Sequence, residues 1–162
     1  MKTTTLLLAK ENFKFSAGHF LIFNKKSAER LHGHNYQVKV DITIPPEEDL
    51  HSQGYFVDFN VFKKIIKAKL DSWDEIVLLP KKQPDMKFKI EGNSLEVKFR
   101  DRRYVFPKNE VLLLPVTNTS VEQLSRILAQ EFLEKFKKYN VKTVQVTVEE
   151  TRGQGATTVA GN

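Results

Sequence analysis

Cysteine is absent from all 162 residues, which removes disulfides, iron–sulfur clusters, thiolate zinc sites and thiol nucleophiles together. Chemistry must therefore come from histidines, carboxylates, hydroxyls or a bound ion. Long hydrophobic runs are missing as well. The longest, residues 6–9, 76–79 and 111–114, fall far short of the roughly 20 residues a spanning helix needs, and no small-residue cleavage site follows the first. The expectation is a cytoplasmic protein with no membrane segment. Glycine and proline number only 7 and 6, and no repeat, low-complexity tract or linker interrupts the chain, so collagen-like and disordered classes are excluded. A chain of this length with 40% hydrophobic residues fits one folded domain over 1–162. Acidic residues are outnumbered, 20 against 26 basic, for a net charge of +6. That field favours anionic ligands without choosing between nucleic acid and a phosphorylated metabolite.

Strand and helix periods divide the chain. Phe13, Phe15, Ala17 and His19 share one parity over residues 11–19, and His34, Tyr36, Val38, Val40, Ile42 and Ile44 share one over 34–44, each the signature of a strand with one apolar face. Pro45-Pro46 ends the second strand, and an acidic loop leads to a short extended piece at 54–57. Asp58 then caps a helix whose apolar stripe runs Phe59, Phe62, Ile65, Ile66, Leu70 and Trp73. Residues 86–106 alternate apolar and basic in three short runs, a basic β-meander inserted around 81–116. Thr119 to Glu122 reads as a capping box ahead of a second helix reaching about Lys138, striped by Val121, Leu124, Leu128, Phe132 and Phe136. Val144, Val146, Val148 and Glu150 share a strand face, and a Gly-bearing turn at 152–155 leads to a strand at 156–159. The fold class is α+β: an antiparallel sheet with two helices on one face and an inserted meander. Open sheet edges at this size favour pairing with another subunit.

Three of the four histidines, His19, His32 and His34, fall within 16 residues. A His-x-His pair on a strand aims both rings to one side, and a third from a neighbouring strand completes a three-nitrogen site with an open coordination position. Hydrogen-bonded core histidines are the alternative. Glu29 ahead of this pair reads either as a base or as a solvated glutamate among Lys25, Lys26 and Arg30. Glu150 continues an apolar face, where a carboxylate needs a partner unless it reaches solvent at the strand end.

Glu29-Arg30-Leu31-His32-Gly33-His34-Asn35-Tyr36, with residues 15–19 before it and Gly54-Tyr55-Phe56-Val57-Asp58-Phe59 after it, resembles the 6-pyruvoyltetrahydropterin synthase family, which includes 6-carboxytetrahydropterin synthase of queuosine biosynthesis. The resemblance covers most of the chain outside 81–116. It implies Zn²⁺ on His19, His32 and His34, and the tunnelling fold, in which sheets of several subunits join into a barrel, a hexamer or trimer with sites between subunits. Pyruvoyl- and carboxy-forming members carry a catalytic cysteine before His-Gly-His, which this chain lacks. The match is to a subgroup with Glu-x-x-His-Gly-His, which cleaves the side chain of 7,8-dihydroneopterin triphosphate to 6-hydroxymethyl-7,8-dihydropterin for folate or methanopterin pathways, with Glu29 as base.

The same resemblance places the family's Asp-His proton relay on Asp74 and Glu75, glutamate standing for histidine. Either Glu75 serves as a carboxylate acid/base or the machinery is incomplete, and Asp74 equally reads as a helix-end residue. Glu150 aligns with the strand glutamate that binds the pterin's two-donor edge. Thr119 and Ser120 align with a hydroxyl-bearing pocket segment, although capping alone accounts for them. The expectation is an enzyme, a zinc-dependent lyase of a small-molecule pterin triphosphate, that binds no nucleic acid. The alternatives are a 6-pyruvoyl- or 6-carboxytetrahydropterin synthase, a catalytically impaired pterin-binding homologue, and a nucleic-acid-binding module suggested by the charge and 12 Phe.

Overall fold

The computed structural model describes residues 2–46 and 50–161; the acidic loop expected after Pro46 lies, over 47–49, outside the described residues. In chain order the elements are β1 (Thr5–Leu8), β2 (Lys14–His19), β3 (His32–Thr43), α1 (Phe59–Asp71), β4 (Ile76–Pro80), β5 (Met86–Glu91), β6 (Ser94–Phe99), β7 (Arg102–Pro107), β8 (Val111–Leu114), α2 (Val121–Phe136), β9 (Thr143–Thr151) and β10 (Gln154–Gly161). Seven strands form the main sheet in the order β10-β9-β3-β2-β4-β8, with β1 also on β3. β3 is long enough to carry β9 along one edge, while β2 and then β1 share the other.

The period-2 pattern decides what each face meets. Tyr36, Val38, Val40 and Ile42 are fully buried, whereas Lys39 between them is exposed. Both helices lie on the apolar face, as expected. Phe62, Ile66 and Leu70 of α1 and Leu124, Leu128, Phe132 and Phe136 of α2 join one core with Val144, Val146 and Val148. The Asp58 carboxylate accepts from the Asn60 N–H at 2.8 Å at the start of α1.

Four local expectations need correction. The sheet is mixed: β4 pairs parallel with β2, and β8 parallel with β4. Both strands come from apolar runs without alternation, because they are covered on both sides: Leu78 faces the main core and Leu79 a second core. β1 is likewise a strand where the sequence shows only a short apolar stretch. Residues 54–57 are bend and irregular backbone, not extended strand. Finally, α2 is capped by Ser120, whose Oγ accepts from Gln123 N–H at 3.3 Å. Thr119 is displaced from that role because it is fully buried, with its hydroxyl turned to His19.

The meander forms as expected. β5, β6 and β7 pair antiparallel as a separate three-stranded sheet, and Met86, Leu95, Val97 and Phe99 pack on Phe20, Ile22 and Leu79 in the second core. No helix among the described residues is long and apolar enough to cross a membrane.

Candidate functional site

Register brings the three imidazoles together. His19 pairs with His32, and Ala17 with His34, across β2 and β3, so all three rings leave the same face of adjacent strands. Their ligand nitrogens lie within 4.8 Å of one another. Gly18 and Gly33 occupy the intervening positions of this pairing.

Hydrogen bonds choose the tautomers. His19 Nδ1 lies 3.0 Å from the Thr119 carbonyl and His32 Nδ1 lies 2.7 Å from the Arg30 carbonyl. A carbonyl only accepts, so each Nδ1 carries the hydrogen and each Nε2 presents a lone pair. His19 Nε2 is buried without a hydrogen-bond partner, and His32 Nε2 lies 3.0 Å from His34 Nε2. Burial holds the His19 pKa below the usual histidine value, opposed by its bond to Thr119 and reinforced by the neighbouring His34 and His32. Two tautomer-locked rings, His19 and His32, presenting Nε2 lone pairs beside the His34 ring are a donor set that fits a divalent cation such as zinc, and the orphaned His19 nitrogen is what such an ion satisfies.

Two carboxylates flank the rings. Glu29 Oε2 is 3.6 Å from His32 Nε2 and accepts from Leu21 N–H at 2.9 Å. Glu150 Oε2 is 3.7 Å from His34 Nε2, while its Oε1 accepts from Gln154 Nε2 at 2.7 Å. Glu150 sits at a β-bulge. Gln154 pairs with Thr151 and Gly155 with Glu149, leaving Glu150 as the extra residue, a device that re-aims side chains beside active sites. Gly155 is obligatory there: a Cβ would stand 2.2 Å from the Val148 carbonyl oxygen and 2.8 Å from the Glu149 Cα.

A model of the 6-pyruvoyl tetrahydropterin synthase family matches residues 8–160. The chain belongs to that family. A relative from Methanocaldococcus jannaschii, provisionally named 6-carboxy-5,6,7,8-tetrahydropterin synthase, is 30% identical over 146 residues, covering 88% of this chain and 87% of its own. The 6-carboxy-5,6,7,8-tetrahydropterin synthase of Rickettsia bellii is 27% identical over 55% of this chain and 63% of its own. Among solved structures, 6-pyruvoyl tetrahydropterin synthase from Plasmodium vivax covers 100% of both chains with a TM-score of 0.89 and 25% identity, and two further structures of that enzyme replace a catalytic glutamate by Ala or Cys. The fold of this family is the tunnelling fold.

Not every residue singled out in the sequence joins the cluster of this synthase-family chain. The Asp74 carboxylate accepts from Ser16 N–H at 2.7 Å, and Glu75 N–H donates to the Ser16 carbonyl. Both carboxylates line clefts with Ser16 and Asn35, whose parity on β2 and β3 is opposite to that of the histidines. Neither carboxylate is hydrogen-bonded to an imidazole, and Glu75 borders a groove whose lining also includes Gly33 and His34. Thr119 contributes its carbonyl to His19 and Ser120 its hydroxyl to the α2 cap, both at the rim of the site.

Three contributors escaped the sequence reading. Asn118 accepts from Ile22 N–H at 3.2 Å and donates to its carbonyl at 2.8 Å. Arg102 holds the Glu29 carbonyl from the meander. Tyr36 is buried with its hydroxyl unpartnered, its pKa pushed up by burial and by Glu150 and Glu29. Only Tyr36 left a signal, its place two residues after His34.

Proposed function

We propose that this chain is a zinc-dependent lyase that transforms the side chain of 7,8-dihydroneopterin triphosphate. One observation carries the reading: lone-pair nitrogens of His19 and His32 converge with His34, while Glu29 and Glu150 stand at 3.6 and 3.7 Å on either side. His19, His32 and His34 would hold the ion. The chemistry it supplies when bound is Lewis acidity toward the substrate's side-chain hydroxyls. Glu150 binds the pterin through N3–H and the 2-amino group, a two-donor edge matched to a carboxylate. Glu29 Oε2 accepts the 2′-hydroxyl proton as the C1′–C2′ bond breaks. The aldehyde fragment leaves with the triphosphate, the electron pair passes to C1′ in conjugation with the ring, and a returning proton completes 6-hydroxymethyl-7,8-dihydropterin. The Plasmodium vivax enzyme supplies a precedent for a catalytic glutamate within the family.

The second reading is a 6-carboxy- or 6-pyruvoyltetrahydropterin synthase, and the names of the relatives support it better than they support side-chain cleavage. Against it stands the absence of any thiol; in its favour stands overall similarity. Either product needs proton transfer. Asp74 and Glu75, which bond to the Ser16 backbone and not to the rings in their own chain, are proposed to act across a subunit boundary in a cytoplasmic trimer or hexamer of single-domain subunits.

Product analysis after incubating the zinc-loaded protein with dihydroneopterin triphosphate decides. The hydroxymethyl pterin is expected from wild type and should fall by at least about 100-fold with Glu29→Ala. A carboxy or pyruvoyl product establishes the second reading, equal turnover by both proteins removes Glu29 from the mechanism, and binding without turnover leaves a pterin-binding homologue.

A further inference from the structure

The three-stranded sheet β5–β7 has no part in any step above, yet it reaches the loop that presents Glu29. Arg102, the first residue of β7, donates from Nη1 to the Glu29 carbonyl at 2.6 Å and from Nη2 to the Ala28 carbonyl at 3.2 Å. Its guanidinium centre lies 5.4 Å from the Phe20 ring centroid and 5.6 Å from that of Phe99, so one ring just after β2 and one at the end of β6, both in the second core, confine it. In the preceding turn Arg100, braced by Asp85 at 2.9 Å, donates to the Asn24 carbonyl at 2.6 Å. From the opposite side Asn118 grips Ile22.

Glu29 sits where these restraints meet. Its N–H donates to the Leu21 carbonyl at 2.8 Å, its carboxylate accepts from Leu21 N–H at 2.9 Å, and its own carbonyl is taken by Arg102. Backbone and side chain are thus both held, and a surface loop that would otherwise sample many conformers offers one carboxylate position to His32. A planar fork spanning two successive carbonyls is a task for Arg; a Lys point charge cannot reproduce it.

We propose that Arg102 is a positioning residue for Glu29, and that the meander is the splint that holds the Glu29 loop against the imidazoles. This rests on Glu29 being the reaction's base. The test uses full-length Arg102→Gln and Arg102→Lys. In metal-free protein, amide hydrogen exchange over residues 21–30 should accelerate in the Gln variant, with α2 and β3 unchanged. In zinc-loaded protein, kcat for dihydroneopterin triphosphate should drop about tenfold at constant KM, since a small misplacement of a reacting group carries a penalty of that order, with Lys falling in between. Added to Glu29→Ala in single-turnover reactions, Arg102→Gln should cost nothing further, because its effect runs through a carboxylate no longer there. Unchanged exchange over 21–30, or the same loss of rate in the Glu29→Ala background, overturns the assignment. If wild type leaves the pterin intact, the catalytic reading fails instead, and exchange over 21–30 alone decides whether Arg102 holds the loop. Should the Gln variant not fold, the Lys variant carries the same measurements.

Discussion

A ring nitrogen with no partner is the most informative atom in this protein. His19 Nε2 is buried and unbonded while Nδ1 is committed to Thr119, an arrangement that is costly unless something positive meets it. His32→Ala should therefore take the bound zinc from about one per chain to near zero, as read by metal analysis after dialysis. Acid should act on the metal-free protein through the same ring. The folded-state pKa of His19 lies below its ordinary 6.5, so as pH falls through that value the unfolded chain takes up a proton that the buried ring refuses. Stability is full above 6.5 and declines below it. Thermal unfolding from pH 7 to 5 should show the fall, and His19→Gln should flatten it. At the other end of the site, Glu150→Gln removes the charged half of the proposed pterin contact. Loss of about 2 kcal/mol should weaken pterin binding roughly 30-fold, measurable by titration calorimetry.

Strands and helices translate these atoms into fixed positions. Two histidines two residues apart on β3 point one way because the strand period is 2, and His19 meets them because the β2–β3 register pairs it with His32; a slip by one residue would put His19 on the other face. The bulge at Glu150 does comparable work on β9. Gly155→Ala would drive a methyl into the Val148 carbonyl, so the bulge must open and Glu150 must move. Weaker pterin binding together with a lowered Tm is expected, and unchanged affinity would show that the bulge does not aim the carboxylate. Ser120→Ala should cost about 1 kcal/mol as an ordinary lost N-cap, with no change in zinc content, in a denaturant titration.

Among the described residues the main sheet ends in β10 and β8, and Val159 on β10 is 58% exposed. Unpaired edges carrying apolar side chains are what subunit pairing covers. Under the shared-site proposal, Asp74 and Glu75 of one copy would serve the imidazoles of another. Val159→Lys is expected to shift the assembly toward monomer in sedimentation velocity and to depress turnover in parallel. A monomeric wild type with full activity would refute the shared site.

Much of this was readable beforehand, for a physical reason in each case. The His-x-His spacing, the parity of Glu150 with Val148 and the stripes of α1 and α2 are local periodicities, and local periodicity follows from backbone geometry alone. The apolar runs of β4 and β8 could not be assigned because two-sided burial erases alternation, and the cap of α2 was misread by one residue because Thr119 is drawn into the core by a histidine 100 positions away. The tautomer of His19, the bulge at Glu150, the Arg102 clamp on Glu29 and the bonding of Asp74 and Glu75 to Ser16 all depend on contacts between distant segments. Such contacts carry no periodic trace along the chain; they exist only once the strands have paired and the two cores have closed.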